Sequence, residues 1–160
     1  MVKFIIIFFS LIFFGCEMNS KQIIKPEKFT YDVVKFNSVS KALNNEFKNI
    51  SSDHEMISDI ITYWFENRIK TDGFEGELLV NVKNISFDRV KNRDFYKFSV
   101  SLSLEFIEQR SDSQKKQYLV NSKEYGEIKG SFSIKDQDNL DLNLMHQALE
   151  SISTKLLEIN

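Results

Sequence analysis

Few side chains in this 160-residue sequence are of types that do chemistry, and their spacing decides what each can do. There is one cysteine, Cys16, and there are two histidines, His54 and His146. A thiolate is a nucleophile or a metal ligand, and an imidazole is a general base or a metal ligand. Either role needs partners at set spacings. His54 lies between Asp53 and Glu55, the composition of a solvated first helical turn, where acids suit the helix dipole. His146 stands one step off a helical apolar stripe, which predicts an exposed or boundary ring, and nothing near it has zinc-ligand spacing. The run Asp136-Gln137-Asp138-Asn139-Leu140-Asp141 invites comparison with a calcium loop. That loop needs an oxygen ligand at its fifth position and glycine at its sixth. Leu140 and Asp141 stand there, so the run reads as the start of a helix. No Gly-x-Ser-x-Gly turn sets up a serine nucleophile. The five glycines make no phosphate-cradling loop. The expectation is therefore no enzyme, no metal site and no cofactor.

Cys16 is informative for another reason. It ends an apolar run of about 11 residues, Phe4 to Phe14, broken only by Ser10 and preceded by Lys3. Such a run is too short to cross a bilayer core, which needs about 20 residues. It also has no polar face to present as a surface helix. A basic start, a short apolar core and a small residue before a cut site describe a secretory signal peptide. Residues 1–15 are assigned to it, with cleavage between Gly15 and Cys16.

Gly15-Cys16 after such a run resembles the lipobox of bacterial lipoproteins. Phe13 and Phe14 stand where that family usually carries leucine and a small residue. The resemblance implies a diacylglyceryl thioether on the Cys16 sulfur, acyl chains such as palmitate, and cleavage before Cys16. Each buried CH₂ contributes about 0.8 kcal/mol, and two chains anchor stably. Glu17 follows the cysteine, where aspartate goes with retention at the inner membrane in the family. The expectation is the outer membrane, facing the periplasm, with the inner membrane left open.

Removal of the leader leaves about 145 residues, the length of one ordinary domain. With Cys16 acylated no disulfide can form, so burial alone holds the core. The net charge of −2, with lysines and acids interspersed, argues against a nucleic-acid partner.

The elements that would position any site follow from periodicity. Residues 16–28 hold the only proline, Pro26, and read as a lipidated tether before a domain over 29–160. Phe29 to Phe36 is rich in aromatic and β-branched residues and predicts a strand. Asn37 to Ile50 reads either as a short helix or as irregular chain. Ser52 and Glu55 have capping-box spacing. Ile57, Ile60, Ile61, Trp64, Phe65 and Ile69 recur at three and four, which predicts a helix stopped at Asp72-Gly73. Leu78, Val80 and Val82 alternate, then Ile85 and Phe87 continue one residue out of phase, so a bulge is expected near Lys83-Asn84. Tyr96 to Phe106 alternates strictly, with Ser99, Ser101 and Ser103 among the polar positions. Glu108 to Gln117 reads as a hairpin loop. Tyr118 to Ile134 predicts either one strand or a bent pair, with Gly126 and Gly130 as the bend points. A second helix carries Met145, Ala148, Leu149, Ile152, Leu156 and Ile159 on one face.

One-sided helices and a one-sided sheet bury each other as two layers. The predicted fold class is an α+β two-layer sandwich. Its mostly antiparallel sheet of about four strands has two helices on one face, in the order β-α-β-β-β-α. This topology behind a lipobox resembles the lipopolysaccharide-assembly lipoprotein family, LptE. It also resembles the auxiliary lipoproteins of lipid-transporting ABC systems and the penicillin-binding-protein activators. Trp64, Arg68 and Ile69 are similar to positions in an uncharacterised group of small bacterial lipoproteins, which brings no activity.

What these likenesses imply is a membrane-held accessory or assembly factor with an envelope protein as partner. The expected partner face is the row Ser99, Ser101, Ser103. The alternative is a carrier that binds lipid or another hydrophobic ligand between sheet and helices. Trp64 is expected in the core and Lys115-Lys116 on a solvated loop.

Overall fold

The computed structural model describes residues 33–45, 54–111 and 114–159. The leader, Cys16, the tether and the Ser52–Glu55 capping pair lie outside the described residues or side chains. The elements are β1 (Val34–Phe36), β2 (Ser40–Asn44), α1 (His54–Arg68), β3 (Ile69–Thr71), β4 (Glu77–Lys91), β5 (Phe95–Ser111), β6 (Gln114–Lys129) and α2 (Ile134–Ile159). The fold is α+β, with a main sheet of four strands in the order β2-β4-β5-β6.

Strand β5 organises the sheet. Its alternating side chains Tyr96, Phe98, Val100, Leu102, Leu104 and Phe106 are all buried. Both neighbours, β4 and β6, run antiparallel to it along almost its whole length. The ladder to β4 slips between Val82 and Asn84. This is the expected bulge, and it returns Ile85 and Phe87 to the core side after Leu78, Val80 and Val82. Phe36 stacks on Phe106 with ring centroids 5.9 Å apart, and Phe87 on Phe98 at 5.7 Å.

The N-terminal third differs from the sequence expectation. Of the expected first strand, residues 33–36 are described; within them Val34–Phe36 is strand, and it pairs in parallel with β3 rather than with the main sheet. The edge of the main sheet comes instead from β2, which lies parallel to β4 within the segment read as helix or irregular chain. Helix α1 ends at Arg68 and not at Asp72, because Ile69–Thr71 pairs with β1. Lys41 of β2 fixes that end. Its ammonium donates to the Phe65 and Ile69 carbonyl oxygens at 3.0 and 2.9 Å. A cation satisfying the last carbonyls of a helix is favoured by the dipole.

The expected loop from Glu108 to Gln117 is strand almost throughout: β5 runs to Ser111 and β6 begins at Gln114. Its polar side chains hide the pairing from an apolar-periodicity reading, but Glu108 lies opposite Lys116 across the ladder. Gly126 is not a bend. It lies within β6, where an added Cβ would stand 2.9 Å from Leu140 Cδ1, so glycine lets α2 come close. Gly130, with φ of 81°, does end the strand.

Helix α2 opens with a capping box. The Asp136 N–H donates to Ser133 Oγ (3.2 Å), and the Asp136 carboxylate accepts from the Ser133 N–H (2.8 Å). Met145, Ala148, Leu149, Ile152 and Leu156 are buried as expected, whereas Ile159 is exposed. Ser153 and His146 are buried as well. The helix packs on β5, on β6, on α1 and on β1, so its covered arc is wider than one stripe.

Candidate functional site

The two helices cover one face of the sheet and leave the other open. On the open face Ser99, Ser101 and Ser103 of β5 are half-buried. Pairing sets their neighbours. Ser99 lies between Asp88 and Tyr125, Ser101 between Ser86 and Lys123, and Ser103 between Asn84 and Asn121. The Ser103 hydroxyl donates to Asn121 Oδ1 at 2.6 Å. A hollow of about 480 Å³ is lined in part by Asn84, Ser101, Ser103, Asn121, Lys123 and Lys155. Lys155 donates to the Asn121 carbonyl oxygen at 2.7 Å, which covers the middle of the β6 edge. This surface offers hydroxyl, amide and ammonium groups. The hydroxyl of Ser103 faces an amide oxygen, not a base, and nothing in that arrangement activates it as a nucleophile.

One further step along β5, Glu105 is buried on the same open face. Its carboxylate accepts from Asn81 Nδ2 at 2.9 Å and Gln117 Nε2 at 2.7 Å, and Lys83 Nζ stands 3.3 Å away. The Asn81 hydrogen bond, with help from Lys83 and Gln117, holds this carboxyl below its usual pKa. Glu105 is therefore an ionised tie between three strands, not a proton acceptor poised for catalysis. Sequence reasoning missed it, because its partners come from strands that only the register brings together.

At the opposite end of the sheet a hollow of about 750 Å³ lies between the β4–β5 hairpin and the start of α2, lined by residues including Lys91, Arg93, Phe132 and Gln137. Beside it Asp141 accepts from the Tyr96 hydroxyl at 2.8 Å and from Arg89 Nε at 3.0 Å. Burial raises the Asp141 carboxyl, and burial together with Asp141 pushes the Tyr96 hydroxyl up to about 12. Asp136 is held low, first by the Ser133 backbone hydrogen bond. The aspartate run is thus a helix start in Asp136 and a latch joining α2 to β4 and β5 in Asp141.

The remaining candidates fall as follows. Trp64 is a core residue, 1% exposed, and its indole N–H donates to Ser153 Oγ at 2.9 Å. His146 corrects the sequence expectation: it is only 3% exposed, and burial lowers its pKa to about 4. It lies seven residues before Ser153, two helical turns away on the same side of α2 as the group bonded to Trp64. His54 is the first residue of α1, and its side chain lies outside the described ones. Lys115 and Lys116 are exposed, but on β6 rather than on a loop. Among the described residues no three of His, Cys, Asp and Glu are grouped to hold a metal ion. Among them also, no helix is long and apolar enough to cross a membrane.

No protein-family model matches the chain. No curated protein matches it either. Several solved structures are similar, among them two lipoproteins. Rare lipoprotein B from Shewanella oneidensis is 12% identical, with 74% of this chain and 91% of that one covered at a TM-score of 0.41. A minor lipoprotein from Acinetobacter baumannii is 11% identical, with coverage of 78% and 94% at a TM-score of 0.38.

Proposed function

We propose that this chain is a lipid-anchored envelope lipoprotein that faces the periplasm from the outer membrane. It acts there as a non-enzymatic accessory or assembly factor through protein contacts. Cys16 carries the reading: the only cysteine follows a small residue at the end of a short apolar run. The fold supports it by asymmetry. Both helices serve the core, and the second sheet face stays open as a polar surface with the exposed Tyr125 and Leu119 on it.

The carrier alternative needs space between the layers. Trp64, Phe98 and Leu149 are each buried within a single continuous core there, which favours a filled interior over a ligand cavity. The enzymatic alternative needs a base beside a nucleophile, and the Ser103 hydroxyl donates to the Asn121 amide oxygen rather than to a base.

Crosslinking in intact cells at native expression, followed by membrane purification, tests the proposal. A fixed envelope protein should be recovered with the chain. Recovery of the chain alone would count against a role through protein contacts.

A further inference from the structure

The turn between β3 and β4 carries Phe74, which is 99% exposed. A loose turn would let such a ring fold back along a neighbour and hide from water. This turn is pinned. The Asp72 N–H donates to the Phe36 carbonyl oxygen and the Gly73 N–H to that of Ser38, while the Val39 N–H donates to that of Gly76, all at 3.1 Å. Two glycines bracket the ring. A Cβ on Gly73 would lie 2.5 Å from the Asn37 carbonyl carbon. Gly76 holds φ at 83°, and its Cβ would lie 2.7 Å from the Gln109 carbonyl oxygen. Only glycine meets both demands without displacement of the backbone. The fold therefore presents the ring outward. Val39, 61% exposed, sits on the connection to which the turn is stapled.

The charges beside the ring that lack an ion pair among the described residues have one sign; Arg110, which packs against Gly76, is paired with Glu108. Glu75 and Glu77 are exposed and make no ion pair among the described residues. Asp72 is balanced by Lys35, 3.4 Å away. An anionic lipid surface would repel two unpaired carboxylates next to an inserting ring. A protein pocket with basic residues at its rim would pair with both. Aromatic anchors in apolar pockets, with charges at the rim, are the usual centre of protein interfaces.

We infer that Phe74 is an apolar anchor that docks, with Glu75 and Glu77 at its border, into a basic-rimmed pocket of an envelope protein. This rests on the reading that the chain acts through protein contacts, and it separates the anchoring turn from the serine face.

The test uses the full chain at native expression, with a photo-reactive phenylalanine analogue at position 74, at position 101 or at position 150. Glu150 is exposed on α2, away from both surfaces. Position 74 should give one protein adduct of fixed mass, and position 150 none. Glu75→Lys with Glu77→Lys should lower the yield at 74 about tenfold or more, as should added salt. With the adducted protein purified, Phe74→Ser should weaken its binding about tenfold or more, while Trp64 fluorescence reports an unchanged fold. A lipid adduct at 74 would overturn the inference in favour of membrane contact. Protein adducts at 101 but not at 74 would overturn it and leave the accessory role standing. Adducts at neither position would remove both. A protein adduct at 74 indifferent to the charge reversals would refute the basic rim.

Discussion

Replacement of His146 by leucine should change how this protein responds to acid. His146 lies 3% exposed between α2 and its neighbours, and burial lowers its pKa from 6.5 to about 4. The folded state keeps the ring neutral down to about pH 4, whereas the unfolded chain takes up a proton near 6.5. Throughout that window the unfolded state binds more protons, so stability falls as the pH drops. One pKa unit is about 1.4 kcal/mol, so the window holds about 3 kcal/mol. That is a large share of a total stability of about 5–15 kcal/mol. Urea unfolding, followed by the fluorescence of Trp64, the only tryptophan, measures it at a series of pH values. Carboxylates titrate alike in wild type and His146→Leu, so the difference between the two isolates the ring. That difference should shift by about 3 kcal/mol toward the variant between pH 6.5 and 4. A difference that stays constant across the window would refute the buried neutral ring.

Gly126→Val should destabilise the fold by about 1–3 kcal/mol, because the added Cβ would meet Leu140 Cδ1 at 2.9 Å and Leu144 Cδ1 at 3.1 Å. A thermal midpoint equal to wild type would show that α2 does not press on β6 there. Glu105→Ala should cost about 1–3 kcal/mol at pH 7 by stranding Asn81, Gln117 and Lys83. The folded carboxyl titrates below the unfolded one, so this contribution is present above the unfolded pKa. It is lost as the pH falls through the folded value. A cost that persists unchanged at pH 2 would contradict the ionised tie.

The parts of the fold that were legible in the sequence are those whose burial is one-sided and local. Six alternating apolar residues from Tyr96 to Phe106 could serve only a half-buried strand, and the phase change after Val82 could only be a bulge. Strand β2 was hidden because Ser40–Asn44 offers just Ala42 and Leu43, and its partner Glu77–Asn81 lies more than thirty residues on. Ile69 is buried whether it continues a helix or begins a strand, so periodicity placed it in the core but could not end α1. His146 was misplaced because one stripe was assumed for a helix that packs on four elements. The serine row was visible by alternation, and the structure keeps it on the open face. Glu105 and Phe74 were not visible as special. Their environments are made by register and by a pinned turn, neither of which has a local signature beyond two glycines.

Everything proposed about location depends on Cys16. Cys16→Ala, compared with wild type in cells fed labelled fatty acid and then fractionated, measures that dependence directly. Wild type should carry the label and sediment with membranes, and the variant should lose both. Unchanged labelling and membrane retention in Cys16→Ala would contradict the lipid anchor and, with it, the proposed place of this protein in the envelope.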